Sequence, residues 1–415
     1  MWFGPTHRDM HVDCGTLLDG DGRVLEDGRF TIEDGTVTEA GPLEDVDPVG
    51  ERLDLTDNIV VPGFIDAHVH MQGLRTMDPT DWVLASDAVC AARASADCRR
   101  LLDAGFTSVR DLGSTVALGL REAIESGDVA GPRVYTSGRS ISQTGGHGDA
   151  HFLPYEWAGE DGLGIATLAD GEDECRKTAR QRIREGVDCL KIMTTGGVLS
   201  EKDAPDERQF TDAEIRAFTE EAERAGLQVA SHAQGTAGVI AALENGVDTI
   251  EHGFYLDEEA IDLMLDTDAT FVPTLSIMFR IVESGADHGV PEYGLRKARE
   301  AFDAHVESVR RAHEAGVPIA TGTDFMGPDL VPHGENALEL ELLVEEVGLS
   351  PVAAIEAATR VAGRTVPDDV GTLTPGARAD FLALGSDPRD GIEAVRDVEA
   401  TFRAGSRVDA TARDL

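Results

Sequence analysis

The sequence of 415 residues predicts an α/β protein, a (β/α)8 TIM barrel with a small β-sandwich domain formed from both chain termini. Three observations predict this architecture. Hydrophobic residues make up 41% of the chain, which is enough for a large core and excludes a disordered or fibrous protein. A rhythm of helix, glycine and apolar strand repeats along the middle of the chain. Both ends instead carry short apolar runs separated by turns.

Residues 1–60 form the N-terminal part of the predicted β-sandwich domain. Short apolar runs alternate with Asp-Gly turns in CGTLLDGDGRVLEDGRFTIEDGTVTEAG, a pattern that is typical of antiparallel strands. Residues 366–415 have the same pattern in VGTLTPGARADFLALGSDP and VEATFRAGSRV. Neither segment is long enough to build a good core alone, so we expect the two to pair into one domain.

Residues 61–365 form the predicted barrel. Helical stretches end at glycine and an apolar strand follows at once, as in LLDAGFTSVRDLG, IREGVDCLKIMTTGG and HEAGVPIATGTDF. Glycine after a helix is a C-cap, and the apolar run after it is typical of a buried parallel strand. With VVPGFIDAHVH as the first strand, the count reaches eight. The long link at about residues 139–188 is expected to carry an active-site loop.

Charge and cysteine content limit the partners and the compartment. A formal net charge of −42 repels polyanions and argues against nucleic-acid or anionic-membrane partners. Only four of the 36 basic residues are lysines, Lys177, Lys191, Lys202 and Lys297, and such an acidic surface is typical of adaptation to high salt. Five cysteines in no paired spacing, without a signal peptide or membrane span, favour a cytoplasmic protein. A homo-oligomer stays open.

Polar side chains lie at the predicted C-terminal ends of the barrel strands, where a barrel of this kind builds its active site. The first strand ends in His68 and His70, and their i, i+2 spacing puts both imidazoles on one face. Later strands carry Lys191, His232, His252 and Asp324. Imidazole and carboxylate are natural ligands of a divalent metal such as zinc, so this set predicts a metal site.

Lys191 lies inside an apolar strand, residues 187–193. A buried ammonium is costly, so the side chain either reaches solvent or stays as a neutral amine. A neutral amine can react with carbon dioxide to form a carbamate, an anionic oxygen ligand able to bridge two metals. The sequence leaves both interpretations open.

Several motifs together resemble the metal-dependent amidohydrolase superfamily over nearly the full chain. They are PGFIDAHVH at 62–70, Lys191 before TTGG at 194–197, SHA at 231–233, IEHG at 250–253, TGTD at 321–324 and the tail GTL…GARAD at 371–380. Lysine on the fourth strand resembles the binuclear, carbamate-bridged members. GGHGD, EHGFYLD and PHGENA are most similar to the prolidase-like members, which are related to Xaa-Pro dipeptidases and imidazolonepropionases.

The resemblance implies a ligand set and a reaction. The implied ligands are His68, His70 and Asp324 for one metal, His232 and His252 for the other, and carbamylated Lys191 with a hydroxide between them. Two divalent ions, zinc by ligand type, would activate that hydroxide to attack the carbonyl of a dipeptide or N-acyl amino acid. Asp324 would then carry a proton to the leaving amine.

Four more residues are candidates for substrate binding. His147, in a glycine-rich loop, is a candidate to hold the carbonyl or the tetrahedral oxyanion. Tyr255 is a candidate donor to a substrate carboxylate, and Arg110 and Arg139 are candidate carboxylate forks. A surface turn, rim packing and rim salt bridges are the structural alternatives for these residues.

Two other functions stay open. A cyclic amide hydrolase, similar to imidazolonepropionase or dihydroorotase, is the alternative enzyme. Imidazolonepropionase-like proteins use one metal and lack the lysine of the fourth strand, so a metal count separates the two. A catalytically inactive binding barrel is the non-enzymatic alternative, and the intact ligand set argues against it.

Overall fold

A computed structural model describes residues 9–160 and 166–408, so residues 1–8 and 409–415 of the predicted terminal domain lie outside the described residues. The strands are, in chain order, β1 (Met10–Leu18), β2 (Val24–Glu33), β3 (Thr36–Pro42), β4 (Glu51–Pro62), β5 (Phe64–Val69), β6 (Phe106–Asp111), β7 (Arg133–Thr136), β8 (Ser140–Ser142), β9 (Ala166–Leu168), β10 (Cys189–Met193), β11 (Gln228–Ala233), β12 (Thr249–His252), β13 (Thr270–Val272), β14 (Phe381–Leu384), β15 (Val398–Arg403) and β16 (Ser406–Arg407).

The α-helices are α1 (Pro79–Leu84), α2 (Asp87–Asp103), α3 (Ala117–Glu125), α4 (Glu172–Glu185), α5 (Asp212–Ala225), α6 (Thr236–Glu244), α7 (Glu258–Thr267), α8 (Leu275–Ser284), α9 (Glu292–Ala315), α10 (Leu338–Leu342) and α11 (Pro351–Glu356). Short π or 3₁₀ segments lie at Glu156–Glu160, Gly285–His288, Leu343–Val347, Ala357–Val361 and Ile392–Arg396. Within the described ranges, no helix combines the length and the apolar character that a membrane crossing needs.

Both ends of the chain contribute to one seven-stranded sheet of order β16-β15-β14-β4-β1-β2-β3, called the terminal sheet below. β14 pairs antiparallel with β4, with Phe381 opposite Pro62, and so joins the two ends. β1 and β4 are parallel, unlike the antiparallel neighbours that the turn signals favour. The edge strand β3 turns back toward the segment before β14, where the Val37 amide donates to the Ala377 carbonyl. The terminal sheet is therefore one curled sheet and not two separate layers.

Aromatic side chains fill the core of the terminal sheet. Phe381 stacks on Phe402 with ring centroids 4.4 Å apart and meets Phe30 edge-on at 5.1 Å. β2 and β14 are separated by two strands in the sheet order, so the contact between Phe30 and Phe381 requires the curl. Each aromatic pair contributes about 0.5–1.5 kcal/mol beyond its buried area.

The middle of the chain forms two parallel sheets, of order β5-β6-β7 and β13-β12-β11-β10-β8-β9. They approach each other where the Asp188 amide donates to the Thr136 carbonyl. The predicted eighth strand, within residues 318–325, meets its neighbours through single bridges, Phe271 with Ile319 and Val69 with Phe325. β5, β6 and β10 are buried along their whole length, as expected for parallel strands covered on both faces.

Three of the helices that precede parallel strands end at glycine. α4, α5 and α9 end at Gly186, Gly226 and Gly316, each in the left-handed conformation. α5 begins with a capping box, in which the Thr211 hydroxyl accepts from the Glu214 amide and the Glu214 carboxylate accepts from the Thr211 amide. β10, β11 and β12 then run parallel in register, so their C-terminal ends meet at one side of the protein.

Candidate metal centre and active-site cavity

A cavity of about 500 Å³ lies at the C-terminal ends of the parallel strands. Sites for small molecules commonly enclose roughly 300–1,000 Å³. All six predicted ligands line the cavity: His68, His70, Lys191, His232, His252 and Asp324. The fold thus brings together side chains that come from five different segments of the chain.

His68, His70 and Asp324 form the tightest group. Asp324 Oδ1 lies 3.0 Å from His70 Nε2 and 3.5 Å from His68 Nε2. One donor atom from each residue lies within 4.8 Å of the other two. The Asp324 amide donates to the His68 carbonyl at 2.7 Å, so the backbone holds the two segments together. Two imidazoles and a carboxylate at these distances suit a divalent cation.

The other two histidines extend this group across the cavity. The His252 ring centroid lies 5.1 Å from that of His68 and 4.5 Å from that of His232. His252 and Asp324 have φ of 78° and 57°, which is uncommon for residues with a side chain. At His252 this turn interrupts the alternation of the strand, so that consecutive residues Glu251 and His252 both approach His68.

Each of the four imidazoles is held through one ring nitrogen. The pairs are His68 Nδ1 with Glu251 (2.8 Å), His70 Nδ1 with the Gly113 carbonyl (2.8 Å), His232 Nε2 with the Gly196 carbonyl (3.0 Å) and His252 Nδ1 with Thr274 Oγ1 (2.7 Å). Carboxylate and carbonyl oxygens only accept, so the first three imidazoles carry their proton on the bonded nitrogen. In a neutral ring the opposite nitrogen keeps a lone pair, which is the form that binds a cation, whereas His70 Nε2 also faces the accepting Asp324 Oδ1.

Arg110 lies beneath the cavity and not on its wall. Its guanidinium is fully buried, and its Nη2 donates to Glu251 Oε1 at 2.8 Å while its Nε donates to the Ala67 carbonyl at 2.7 Å. The predicted role as a fork for a substrate carboxylate does not fit this position, because the Glu251 carboxylate already occupies the guanidinium. Burial tends to raise the pKa of Glu251, but Arg110 and His68 lower it to about 2. Glu251 is thus a charged partner that orients His68.

Lys191 is an exception to the rule that buried polar groups find partners. Its side chain is 2% exposed, and its Nζ has no hydrogen-bond partner among the described residues. Burial lowers the pKa of Lys191 to about 8, although the charges of Glu251 and Asp324 oppose the shift. An unpartnered amine is costly to a folded protein. Together with the surrounding imidazoles, this orphaned amine fits a site built to hold metal.

Burial keeps most of the imidazoles neutral. It lowers the pKa of His68 to about 4, and the pKa values of His232 and His252 lie well below the usual value for the same reason. Burial also lowers the pKa of His70, but the hydrogen bond and charge of Asp324 outweigh it and raise that pKa overall. Neutral imidazoles are the form that a metal ligand needs at neutral pH.

His147 lines the cavity from the long loop after β8. Its ring stacks on that of His232, with centroids 4.1 Å apart and planes 19° apart. His147 Nδ1 lies 2.8 Å from Ser200 Oγ, and the Ser200 hydroxyl donates to the Asp203 carboxylate. His147 Nδ1 is therefore the donor and Nε2 keeps the lone pair. The predicted oxyanion contact needs a proton on Nε2. Burial lowers the pKa of His147 to about 4, so the ring is neutral at pH 7 and Nε2 cannot donate.

The structure separates the two remaining predicted substrate contacts. Arg139 lines the cavity, and it is the one guanidinium among the lining residues. Tyr255 is half-buried, packs edge-on against Phe254 with centroids 6.2 Å apart, and is not among the lining residues. Arg139 therefore stays a candidate for a substrate carboxylate, whereas the position of Tyr255 offers no such contact.

Part of the cavity lining is apolar, a feature that the sequence analysis missed. The residues in question, called the apolar lining below, are Trp82, Leu84, Ile277, Met278 and Ile281. Leu84 is 75% exposed, whereas the three α8 side chains are buried. An apolar surface exposed at the mouth of a cavity is typical of a ligand-binding site. The apolar run LSIMF at residues 275–279, shortly after β13, was the sequence signal that could have indicated this lining.

Residues 59–408 match the amidohydrolase family. The chain is 34% identical over 414 residues to ochratoxinase from Aspergillus niger. The alignment covers 94% of this chain and 84% of the relative. The crystal structure of A. niger ochratoxinase superposes with a TM-score of 0.89 and 31% identity, covering 97% of this chain and 96% of that one.

Two further proteins share this similarity. The crystal structure of a Xaa-Pro dipeptidase with bound methionine has a TM-score of 0.86 and 31% identity. The superposition covers 97% of this chain and 100% of the dipeptidase chain. An imidazolonepropionase from Deinococcus deserti is 27% identical over 419 residues, with 92% of each chain covered. The family is generally metal-dependent, in agreement with the His68, His70 and Asp324 group. The chain therefore belongs to the amidohydrolase family, as a hydrolase similar to its prolidase-like members.

Proposed function

We propose that this chain is a binuclear metal-dependent amidase that cleaves the carbon–nitrogen bond of a dipeptide or an N-acyl amino acid. One observation carries the proposal: four imidazoles, one carboxylate and the unpartnered Lys191 amine converge on a single cavity. The similarity to a Xaa-Pro dipeptidase supports the same substrate class.

The donor set favours two divalent ions, zinc by ligand type. One would be held by His68, His70 and Asp324, and the other by His232 and His252. Lys191 would lie between them as a carbamate: its neutral amine forms a bond to the carbon of carbon dioxide and releases one proton. This reaction supplies an anionic donor where the amine has no partner. When bound, the ions would lower the pKa of a water molecule to about 7 and polarise the substrate carbonyl.

Side chains of the cavity would move the proton and hold the substrate. Burial tends to raise the pKa of Asp324, but the neighbouring His68 and the hydrogen bond from His70 lower it overall. Asp324 is thus ionised and able to accept a proton at Oδ and pass it to the leaving nitrogen. His147 Nε2 would accept a substrate N–H, and the Arg139 guanidinium would pair with a substrate carboxylate.

The scaffold of this site would be a closed (β/α)8 barrel over residues 61–365, with residues 1–60 and 366–415 as the terminal domain. The segment at 318–325 supports closure, because it bonds to both flanking sheets. The Phe271 amide donates to the Pro318 carbonyl on one side, and the Ala67 amide donates to the Thr321 carbonyl on the other.

The apolar lining favours a substrate with a large apolar group. An N-acyl amino acid of this kind would place its carboxylate at Arg139 and its apolar group against side chains such as Leu84 and Met278. A cytoplasmic location in high salt would suit the net charge of −42 and the five cysteines, all buried and unpaired.

Cyclic amide hydrolysis is the second candidate, supported by the similarity to imidazolonepropionase. Lys191 favours the linear amide over an imidazolonepropionase-like reaction, because imidazolonepropionase-like proteins lack this lysine and use one metal. An inactive binding barrel is the weaker proposal, since all six donors are present on one cavity.

The test is a metal count joined to a substrate panel, with protein loaded with zinc in molar salt. We expect two ions per chain and turnover of linear N-acyl amino acids and dipeptides. Exchange of an N-acetyl for an N-hexanoyl or N-benzoyl group should raise kcat/KM by at least about tenfold, since even one buried methylene contributes about 1–3 kcal/mol of discrimination. One ion per chain with turnover of cyclic amides alone would contradict the proposal.

A further inference from the structure

Lys297 lies on α9, outside the candidate ligand set, yet it is almost completely buried. Its side chain is 7% exposed. Its Nζ donates to three backbone carbonyls, those of Gly197 at 2.9 Å, Ser200 at 2.7 Å and Asp203 at 2.5 Å. All three belong to residues 194–204, the loop that follows the strand of Lys191, called the anchored loop below. A single ammonium thus holds the loop from beneath.

The identity of this residue is informative because lysine is rare in the chain. Four of the 36 basic residues are lysines, and two of these, Lys191 and Lys297, are buried. An ammonium has three donors that point in tetrahedral directions, whereas a guanidinium is a planar fork. Three converging carbonyls match the ammonium, which accounts for a lysine where the chain otherwise uses arginine.

The anchored loop contacts two imidazoles of the cavity. The Gly196 carbonyl accepts from His232 Nε2 at 3.0 Å. Ser200 Oγ accepts from His147 Nδ1 at 2.8 Å and in turn donates to the Asp203 carboxylate. The Asp203 carboxylate lies 3.7 Å from Lys297 Nζ. Polar contacts therefore connect Lys297 to the His147 ring, and the backbone from Gly197 to Gly196 connects it to the hydrogen bond of His232.

Close packing of the loop backbone makes the ring positions depend on the loop. A Cβ at Gly197 would lie 2.2 Å from His147 Cε1, and a Cβ at Gly196 would lie 2.4 Å from the Ala204 carbonyl oxygen. Real Cβ atoms do not approach other atoms so closely, so both positions require glycine. Because the backbone at Gly197 packs directly against the His147 ring, a small movement of the loop also displaces that imidazole.

We propose that Lys297 is a positioning residue that fixes the imidazoles of His147 and His232 in the cavity by anchoring residues 194–204. The readout in turnover rests on the proposed amidase function, whereas the readout in loop protection does not. Displacement of a catalytic group by about 1 Å costs about 10²-fold in rate.

The test compares Lys297→Met with Lys202→Met in the full-length, zinc-loaded protein. Lys202 lies on the same loop but is exposed, with Nζ 3.4 Å from the His151 carbonyl, so it is a matched control. We expect Lys297→Met to speed amide hydrogen exchange in residues 194–204 by at least about tenfold. We expect kcat to fall about 10–100-fold with a smaller change in KM. Lys202→Met should change neither.

A double-mutant cycle with His147→Ala separates positioning from general destabilisation. If Lys297 acts through His147, adding His147→Ala to Lys297→Met costs much less than His147→Ala alone. Ser200→Ala, which removes only the hydroxyl between His147 and Asp203, serves as the second variant if Lys297→Met does not fold, and its loss of kcat should also overlap with that of His147→Ala.

Unchanged exchange in the anchored loop, or fully additive losses in the cycle, would overturn the positioning role. Faster exchange in Lys297→Met with full activity in His147→Ala would leave the anchoring intact and instead remove His147 from the proposed amidase mechanism.

Discussion

Buried charges are treated in opposite ways by the terminal sheet and by the cavity. In the terminal sheet, the Asp13 carboxylate is 3% exposed and accepts from Arg29 Nε at 2.6 Å and from Arg52 Nε at 2.7 Å. In the cavity, the Lys191 amine has no hydrogen-bond partner among the described residues. One region satisfies its polar groups within the chain, and the other leaves donors that only a bound group can satisfy.

This difference separates stability from function. A buried charge that keeps its partner is tolerated. A buried polar group without a partner typically destabilises the folded state by about 1–3 kcal/mol, and a charged one by more. Proteins accept such a cost at functional sites and recover it elsewhere. We therefore expect substitution of the unpartnered group in the cavity to lower activity and raise stability. Substitution of a partnered charge in the terminal sheet should lower stability and leave activity unchanged.

Lys191→Met tests the cavity side of the comparison and has the largest expected effect. We expect turnover to fall by about 10³-fold or more, because the variant cannot form the proposed carbamate, and the count of bound ions to fall below two. In the presence of a chelator, we expect the variant to gain about 1–3 kcal/mol in the free energy of unfolding, because methionine removes an unpartnered amine from the interior.

Metal analysis, initial rates and urea unfolding measure these effects. Lys177→Met is the control, since Lys177 is exposed on α4. If Lys191→Met kept two ions and full rate, the bridging role would be wrong. If the chelated variant were no more stable than the parent, the cavity would not carry the cost that the comparison assigns to it.

Glu251→Gln tests a buried charge that has partners, as Asp13 has in the terminal sheet, but that also contacts a candidate metal ligand of the cavity. Its carboxylate is paired, as in the terminal sheet, but it also accepts from His68 Nδ1 at 2.8 Å. Loss of a charged partner behind a ligating histidine lowers metal affinity by about 10–100-fold. Competition with a chromogenic chelator measures the affinity, on protein shown to be folded by circular dichroism. The exposed Glu258→Gln controls for net charge, and equal affinities in the two variants would contradict the orienting role.

The sequence was sufficient to predict which strand ends contribute candidate ligands to the cavity, because parallel strands end on one side and the i, i+2 spacing of His68 and His70 fixes their common face. It was insufficient for Arg110. All residues of β6 are buried, so no alternation shows which face a side chain takes. Arg110 points under the cavity toward Glu251, a residue on a strand far away in sequence.

Long-range pairing limited the prediction elsewhere as well. Asp-Gly turns predict hairpins, and β2 and β3 do form one around Asp34 and Gly35. No turn signal indicates that β4 returns parallel to β1, because that register depends on contacts between distant segments. The contact of Lys297 with the anchored loop, about a hundred residues away, is invisible for the same reason, since local pattern carries no information on it.

Asp13→Asn tests the terminal sheet and has the smallest expected effect. Hydrogen bonding from Arg29 is the main reason that the pKa of Asp13 lies below its usual value, with Arg52 adding to it and burial opposing it. A carboxyl whose folded pKa is lowered contributes stability above its unfolded pKa, about 3.9, and loses that contribution as the pH falls through the folded value. We expect the variant to lose about 1–3 kcal/mol in the free energy of unfolding at pH 7, and the difference from the parent to shrink below about pH 4. Urea unfolding across this range measures it, with Asp57→Asn on the exposed part of β4 as control. A difference independent of pH would mean that Asp13 acts through shape and not through charge, and the contrast between the two regions would then lose its electrostatic basis.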